Sequence, residues 1–168
     1  MTARIAVIGI GNEYRHDDGV GLVVAAAVAD AVAHTAVPGV TVTVTDGDPA
    51  TILDAWAGAG LAVIVDAVRC TPATPGRIHR TTADRLAGTA PTSSHGFGVA
   101  EAIRLGVVLD RVPDRILILT VEAEDTSFGP GLSASVTEAV APLTCAVLNE
   151  LVSPDCEYPP EQAIATLT

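Results

Sequence analysis

The order of apolar and turn-forming segments predicts an α/β fold, a sheet of mostly parallel strands sandwiched between helices. Three observations point there. Residues 4–8, 61–65 and 115–121 are short, nearly continuous apolar runs, which fits parallel strands covered on both faces. Alanine- and valine-rich stretches of helical length alternate with them, giving the β-α-β order of layered α/β domains. Acids follow the strands closely: Asp17 and Asp18 after the first, Asp66 after the third, Glu122 after the last. The carboxyl ends of the strands are where such sheets bind ligands.

Each element has its own signal. The first strand, residues 4–8, runs into the turn Gly9-Ile10-Gly11-Asn12, and a helix is expected over residues 18–33. Residues 40–45 alternate valine and threonine, a strand pattern. Asp46-Gly47-Asp48-Pro49 is a turn whose Asp48 or Pro49 opens a short helix through Trp56. The third strand, residues 61–65, ends in Asp66. Residues 77–80 form a short edge strand and 81–86 a helical turn. Residues 88–96 are an uncharged, turn-rich loop before a helix over 99–109. The last strand, 115–121, leads through Gly129-Pro130-Gly131 to a helix over 133–151. Residues 1–152 read as one domain, and 153–168, with three prolines, as a loose tail.

Composition narrows the function. The chain is 49% apolar but only 3% aromatic, so its core is alanine, valine, leucine and isoleucine. Nine arginines and no lysine face 20 acids, for a net charge of −11. That charge excludes nucleic acid and anionic membrane as expected partners. No apolar run of about 18 residues is free of charge and glycine, so no membrane insertion is expected. The chain starts directly on a strand with no leader pattern, and a cytoplasmic location is expected. Cys70, Cys145 and Cys156 are far apart and form no C-x-x-C, so neither a thiolate zinc site nor a disulfide framework is expected. Cys145, in an apolar helix, is expected in the core; Cys70 and Cys156 have no assigned role.

The Gly9-x-Gly11 turn invites a dinucleotide reading. That fingerprint needs a third glycine for close helix–strand packing, and Tyr14 stands in its place. Asp17 and Asp18 occupy the helix N-terminus that would otherwise attract phosphate. Asp46 and Asp48 do follow the second strand, where a ribose-binding acid belongs, so a nucleotide-binding protein stays open as an alternative.

A different constellation is chemically more coherent. Asp18, Asp66 and His95 come from three separate parts of the chain. Each follows a strand or opens a helix on one edge of the expected sheet. A carboxylate at the end of a buried strand is costly unless hydrogen-bonded, solvated or bound to metal. Two carboxylates and one imidazole make a site of borderline hardness, suited to a divalent transition ion with positions left for water or substrate. Asp17 is expected to cap the helix and Asn12 to orient the loop. His16 is a rival ligand; His34 and His79 look peripheral.

The ordered motifs also resemble a known family. Gly9-Ile10-Gly11-Asn12 followed by Asp17-Asp18-Gly19-Val20-Gly21, the Asp46-Gly47 turn, Val65-Asp66-Ala67, Ser93 to Gly98, and Gly131-Leu132-Ser133 to Val136 resemble the nickel–iron hydrogenase maturation endopeptidases. The resemblance extends over residues 4–152. It implies a three-layer αβα sandwich with a five-stranded, mostly parallel sheet and one antiparallel strand, for which residues 77–80 are the candidate. It implies catalytic and metal-binding roles for Asp18, Asp66 and His95. It further implies a peptidase, aspartic-type or metal-dependent, that trims the C-terminal extension of a hydrogenase large-subunit precursor. The nickel is carried by the substrate, and no organic cofactor is expected. A non-cleaving nickel-sensing or chaperone module on the same scaffold is the alternative within this resemblance.

Overall fold

The structure is a computed structural model that describes residues 4–35, 37–86 and 96–152. Five strands form one sheet: β1 (Ile5–Ile10), β2 (Val40–Thr45), β3 (Leu61–Val68), β4 (Ile78–Thr82) and β5 (Arg115–Glu122). Their spatial order is β2-β1-β3-β5-β4. The β1/β2, β1/β3 and β3/β5 pairs are parallel, and the edge strand β4 runs antiparallel to β5. The mixed three-layer architecture is the one expected. The helices are α1 (Val20–Thr35), α2 (Pro49–Ala55), α3 (Ala83–Leu86), α4 (Gly96–Leu109) and α5 (Ala134–Val152).

Strand alternation divides the core into two layers. Ile5, Val7, Leu61, Val63, Val65, Leu117 and Leu119 face α1 and α5, meeting Val20, Val24, Val28, Leu143 and Val147. Ala6, Ile8, Ile10, Ala62, Ile64, Ile116 and Ile118 face α2 and α4, meeting Ile52, Trp56, Val99 and Ala102. By length and composition alone, the segment His16–Thr35 and α5 are each apolar enough to cross a membrane, although no uncharged, glycine-free run predicts it. Each places one apolar face on the sheet, through Val20, Val24 and Val28 in the first and Leu143 and Val147 in the second.

Boundaries differ where pairing outweighs local signals. β1 continues through Gly9 and Ile10 because both still pair with β2, at Val44 and Thr45. β3 passes Asp66 and runs to Val68, since β5 accompanies it to Glu122. Asp66 is therefore inside a strand rather than beyond its end. α1 begins at Val20, and residues His16–Gly19 form a separate 3-10 turn. α4 begins three residues earlier than its apolar pattern suggests, at Gly96. Asp48 caps α2 by accepting from the Thr51 backbone N–H at 2.8 Å. That hydrogen bond, seconded by the Thr51 hydroxyl, holds its carboxyl below the usual range.

Gly21 sets the distance between layers. A Cβ on Gly21 would lie 2.1 Å from Ile10 O and 2.6 Å from Val65 O, so the first turn of α1 rests directly on β1 and β3. A dinucleotide fold achieves this contact with its third fingerprint glycine; here the chain first detours through residues 12–19 and achieves it with Gly21. Gly21→Ala is expected to cost about 3 kcal/mol, because both clashing atoms are backbone and cannot rotate away. Gly19→Ala, whose nearest neighbour would be 3.3 Å away, is expected to cost about 1 kcal/mol or less. Urea unfolding of the two variants checks the contrast, and equal losses would contradict it.

Candidate functional site

β1 has β2 on one side and β3 on the other, so the strand order reverses beside it. That crevice is where an open α/β sheet binds ligands. The loop after β1 fills it. Asn12 Oδ1 accepts from Tyr14 N–H at 2.9 Å, and Asn12 O accepts from Arg15 N–H at 3.1 Å. These bonds fold the loop into a turn that leads to His16, Asp17 and Asp18. The turn carrying both acids packs against β3.

Asp17 does not cap its own turn, which has no side-chain cap. It is fully buried and reaches across to the segment between β5 and α5. Its Oδ2 accepts from Glu124 N–H (2.8 Å), Asp125 N–H (2.9 Å) and the Ser133 hydroxyl (2.9 Å), and its Oδ1 from Ser133 N–H (2.7 Å). Ser133 immediately precedes α5, so Asp17 serves that helix N-terminus. Backbone bonds extend the seam: Asp17 N–H to Asp125 O (3.0 Å), His16 N–H to Gly129 O (2.8 Å) and Gly129 N–H to Tyr14 O (2.8 Å). The Arg15 guanidinium lies over the Phe128 ring, 5.7 Å from its centroid. The loop that bears Asp18 is thus clamped to a segment more than a hundred residues away.

Asp18 and Asp66 are both buried, at 4% and 2% exposure. Asp66 Oδ1 accepts from Ala67 N–H at 2.8 Å. Strand alternation puts Asp66 on the sheet face shared with Ile64 and Ala62, the face covered by α2 and α4. Asp18 stands three residues before Gly21, whose close contact is with Val65, the residue before Asp66. Two buried carboxylates therefore come from elements in direct contact at the switch point.

The start of α4 is placed equally tightly. A Cβ on Gly98 would lie 2.0 Å from Gly47 O, so the first turn of α4 sits on the turn after β2. That turn adjoins the β1 loop, where Gly11 N–H donates to Thr45 O at 3.0 Å. His95, expected as the third member of the site, lies outside the described residues, as do Ser93 and Ser94. Of the three candidate residues, the structure describes Asp18 and Asp66.

The other histidines and cysteines fall differently from expectation. His16 Nδ1–H donates to Gly131 O at 3.2 Å, and its ring fills the space left by the missing side chain of Gly129. It belongs to the seam. Cys145 is exposed rather than in the core, because α5 turns Leu143 and Val147 inward instead. His79 is not peripheral: its Nε2–H donates to buried Glu122 Oε1 at 2.7 Å, with Cys70 close by.

Comparisons with known proteins agree on one family. The family model described as hydrogenase maturation protease matches residues 26–150, a span that includes Asp66 and His95 and begins after Asp18. Among curated proteins no sequence matches at a significant level. The hydrogenase maturating endopeptidase HybD from Escherichia coli superposes with a TM-score of 0.75 at 21% identity, over 90% of this chain and 94% of that one. An endopeptidase from Escherichia coli gives 0.79 at 21% identity, over 92% and 95% of the two chains. The [NiFe] hydrogenase maturation protease HybD from Thermococcus kodakarensis gives 0.71 at 21% identity, over 87% and 97%. At such identities the superpositions establish a shared fold, and the family match covers most of the chain. The chain belongs to the hydrogenase maturation protease family.

Proposed function

We propose that this protease removes the C-terminal extension of a nickel–iron hydrogenase large-subunit precursor after nickel insertion, and that Asp18, Asp66 and His95 read the nickel the substrate carries. The observation that supports this most is the pair of buried carboxylates at the switch point, Asp18 and Asp66, on elements in direct contact. Burial of two acids on adjoining elements is costly unless each is compensated, and a cation shared between them would contribute to that compensation. His95 precedes Gly96 by one peptide bond, and the first turn of α4 abuts the turn beside the β1 loop. An imidazole there would complete a set of two oxygens and one nitrogen, a donor chemistry that accepts nickel.

The substrate's nickel would supply a Lewis acid beside the scissile carbonyl. The residues of this chain hold and orient that centre, and a carboxylate of the pair serves as general base toward the attacking water. Asn12 and Asp17 keep the acidic loop in place. Recognition through the ion makes cleavage conditional on nickel insertion.

The test is incubation with a nickel-loaded large-subunit precursor and with the same precursor lacking nickel. Trimming of the first alone, read as a mobility shift and by mass, is expected. A tight complex without trimming would support a non-cleaving nickel-sensing module instead. Equal trimming of both forms would overturn recognition through the metal.

A further inference from the structure

Outside the switch-point site, one cluster of metal-ligating side chains among the described residues has no role in the proposed reaction. Cys70 follows β3, His79 lies on β4, and Glu122 ends β5. One donor atom from each lies within 4.8 Å of the other two. We infer that Cys70 Sγ, the His79 imidazole and the Glu122 carboxylate form a binding site for a divalent transition ion of the zinc, cobalt and nickel class, with its fourth position open to water.

The chemistry of the donors sets the class of ion. Thiolate and imidazole select borderline-soft ions over magnesium and calcium, and one carboxylate is compatible with them. A tetrahedral site with bonds of about 2.0–2.3 Å holds its donors roughly 3.3–3.7 Å apart. The cluster, whose donors all lie within 4.8 Å of one another, reaches this with a slight opening of the His79–Glu122 contact, now 2.7 Å. Glu122 is already oriented: Oε2 accepts the Thr74 backbone N–H while Oε1 faces His79. Such anchoring of a ligand by a neighbour that is not itself a ligand is typical of protein metal sites.

Access agrees with this geometry. Burial and the adjoining Glu122 carboxylate push the Cys70 thiol up, so a bound cation has to displace the thiol proton. Burial also works to raise Glu122, but the Thr74 N–H, His79 and Arg77 more than offset it and hold that carboxyl below its usual range. A cation would satisfy the thiolate and the carboxylate together. The His79 side chain is 39% exposed and Cys70 half-buried, so an ion can reach the cluster from solvent. The ion would tie the segment between β3 and β4 to the end of β5.

This site is distinct from the one proposed for substrate nickel. Asp66 and His79 both stand opposite Thr120, one on each side of β5, hence two strand spacings or about 10 Å apart. The two sites share no ligand, and only this one contains sulfur.

The test is a Co²⁺ titration of full-length protein carrying Cys145→Ser and Cys156→Ser, so that Cys70 is the only thiol. A thiolate-to-cobalt charge-transfer band in the near ultraviolet, with the intense visible bands of tetrahedral cobalt, is expected at one equivalent. Cys70→Ser, a nearly isosteric change whose folding is checked by circular dichroism, should abolish the charge-transfer band. His79→Gln should weaken binding about 100-fold. Asp18→Asn with Asp66→Asn should leave the band intact, whether or not processing is lost. Absence of the band, or its persistence in Cys70→Ser, would overturn the site and leave His79–Glu122 as an ion pair alone.

Discussion

Replacing Asp17 with alanine is expected to lower the free energy of unfolding by about 4 kcal/mol. The carboxylate is fully buried and accepts four hydrogen bonds, three from backbone N–H groups and one from the Ser133 hydroxyl. Truncation leaves those donors without an acceptor in a place water does not reach, and each such group costs about 1–3 kcal/mol. Asp17→Asn is expected to fall between wild type and alanine, since one oxygen remains but the new amide meets N–H groups. Ser133→Ala removes one donor and leaves the other bonds, and should cost about 1 kcal/mol. Urea unfolding of the three variants gives the comparison. A loss below about 1 kcal/mol for Asp17→Ala would mean that the seam between the β1 loop and the segment before α5 is not held by this side chain.

Asp18→Asn and Asp66→Asn should act in the opposite sense, leaving the protein folded and stopping the reaction. Each is nearly isosteric and removes one negative charge from the buried pair. If each aspartate is a direct ligand of the substrate's nickel, as proposed, its loss should slow trimming of the nickel-loaded precursor at least about 100-fold, since even groups that merely orient ligands contribute about 10–100-fold. On that proposal binding of the precursor should weaken together with the rate, because the same contacts would recognise and position the nickel. Initial rates under single-turnover conditions, with circular dichroism to verify folding, separate this from a loss of stability. Retention of full trimming in both variants would remove the two aspartates from the mechanism. Together with the Asp17 series, the pair divides the acids of one loop into a structural carboxylate and a functional one.

Sequence pattern alone made much of this fold legible, and its failures have physical causes. β2 and α2 were readable because their signals are local: valine–threonine alternation in one, Asp48 before Pro49 in the other. The end of β3 was not, because Asp66 breaks an apolar run while strand pairing with β5 continues to Val68. Hydrogen bonds to a neighbouring strand outweigh the polarity of one residue. The start of α4 was hidden by Gly96 and Gly98, poor helix formers, of which Gly98 is explained by its close approach to Gly47.

The candidate site shows the same limit. Asp18 and Asp66 could be singled out because acids after buried strands are unfavourable without a reason. The task of Asp17 could not, because its partners Glu124, Asp125 and Ser133 lie over a hundred residues away. A helix-capping role was the local reading, and Asp17 does serve a helix N-terminus, but that of α5 rather than of its own turn. His79 looked peripheral for a similar reason. An imidazole on an edge strand acquires meaning only when β4 pairs antiparallel with β5 and brings it beside Glu122 and Cys70.

The most direct measurement is anomalous diffraction from crystals soaked with Ni²⁺ or Cd²⁺. A peak about 2.0–2.4 Å from a carboxylate oxygen of Asp18, one of Asp66 and an imidazole nitrogen of His95 is predicted. Anomalous density confined to other parts of the molecule, with the His95 ring turned away from the two aspartates, would contradict the proposed reading of substrate nickel.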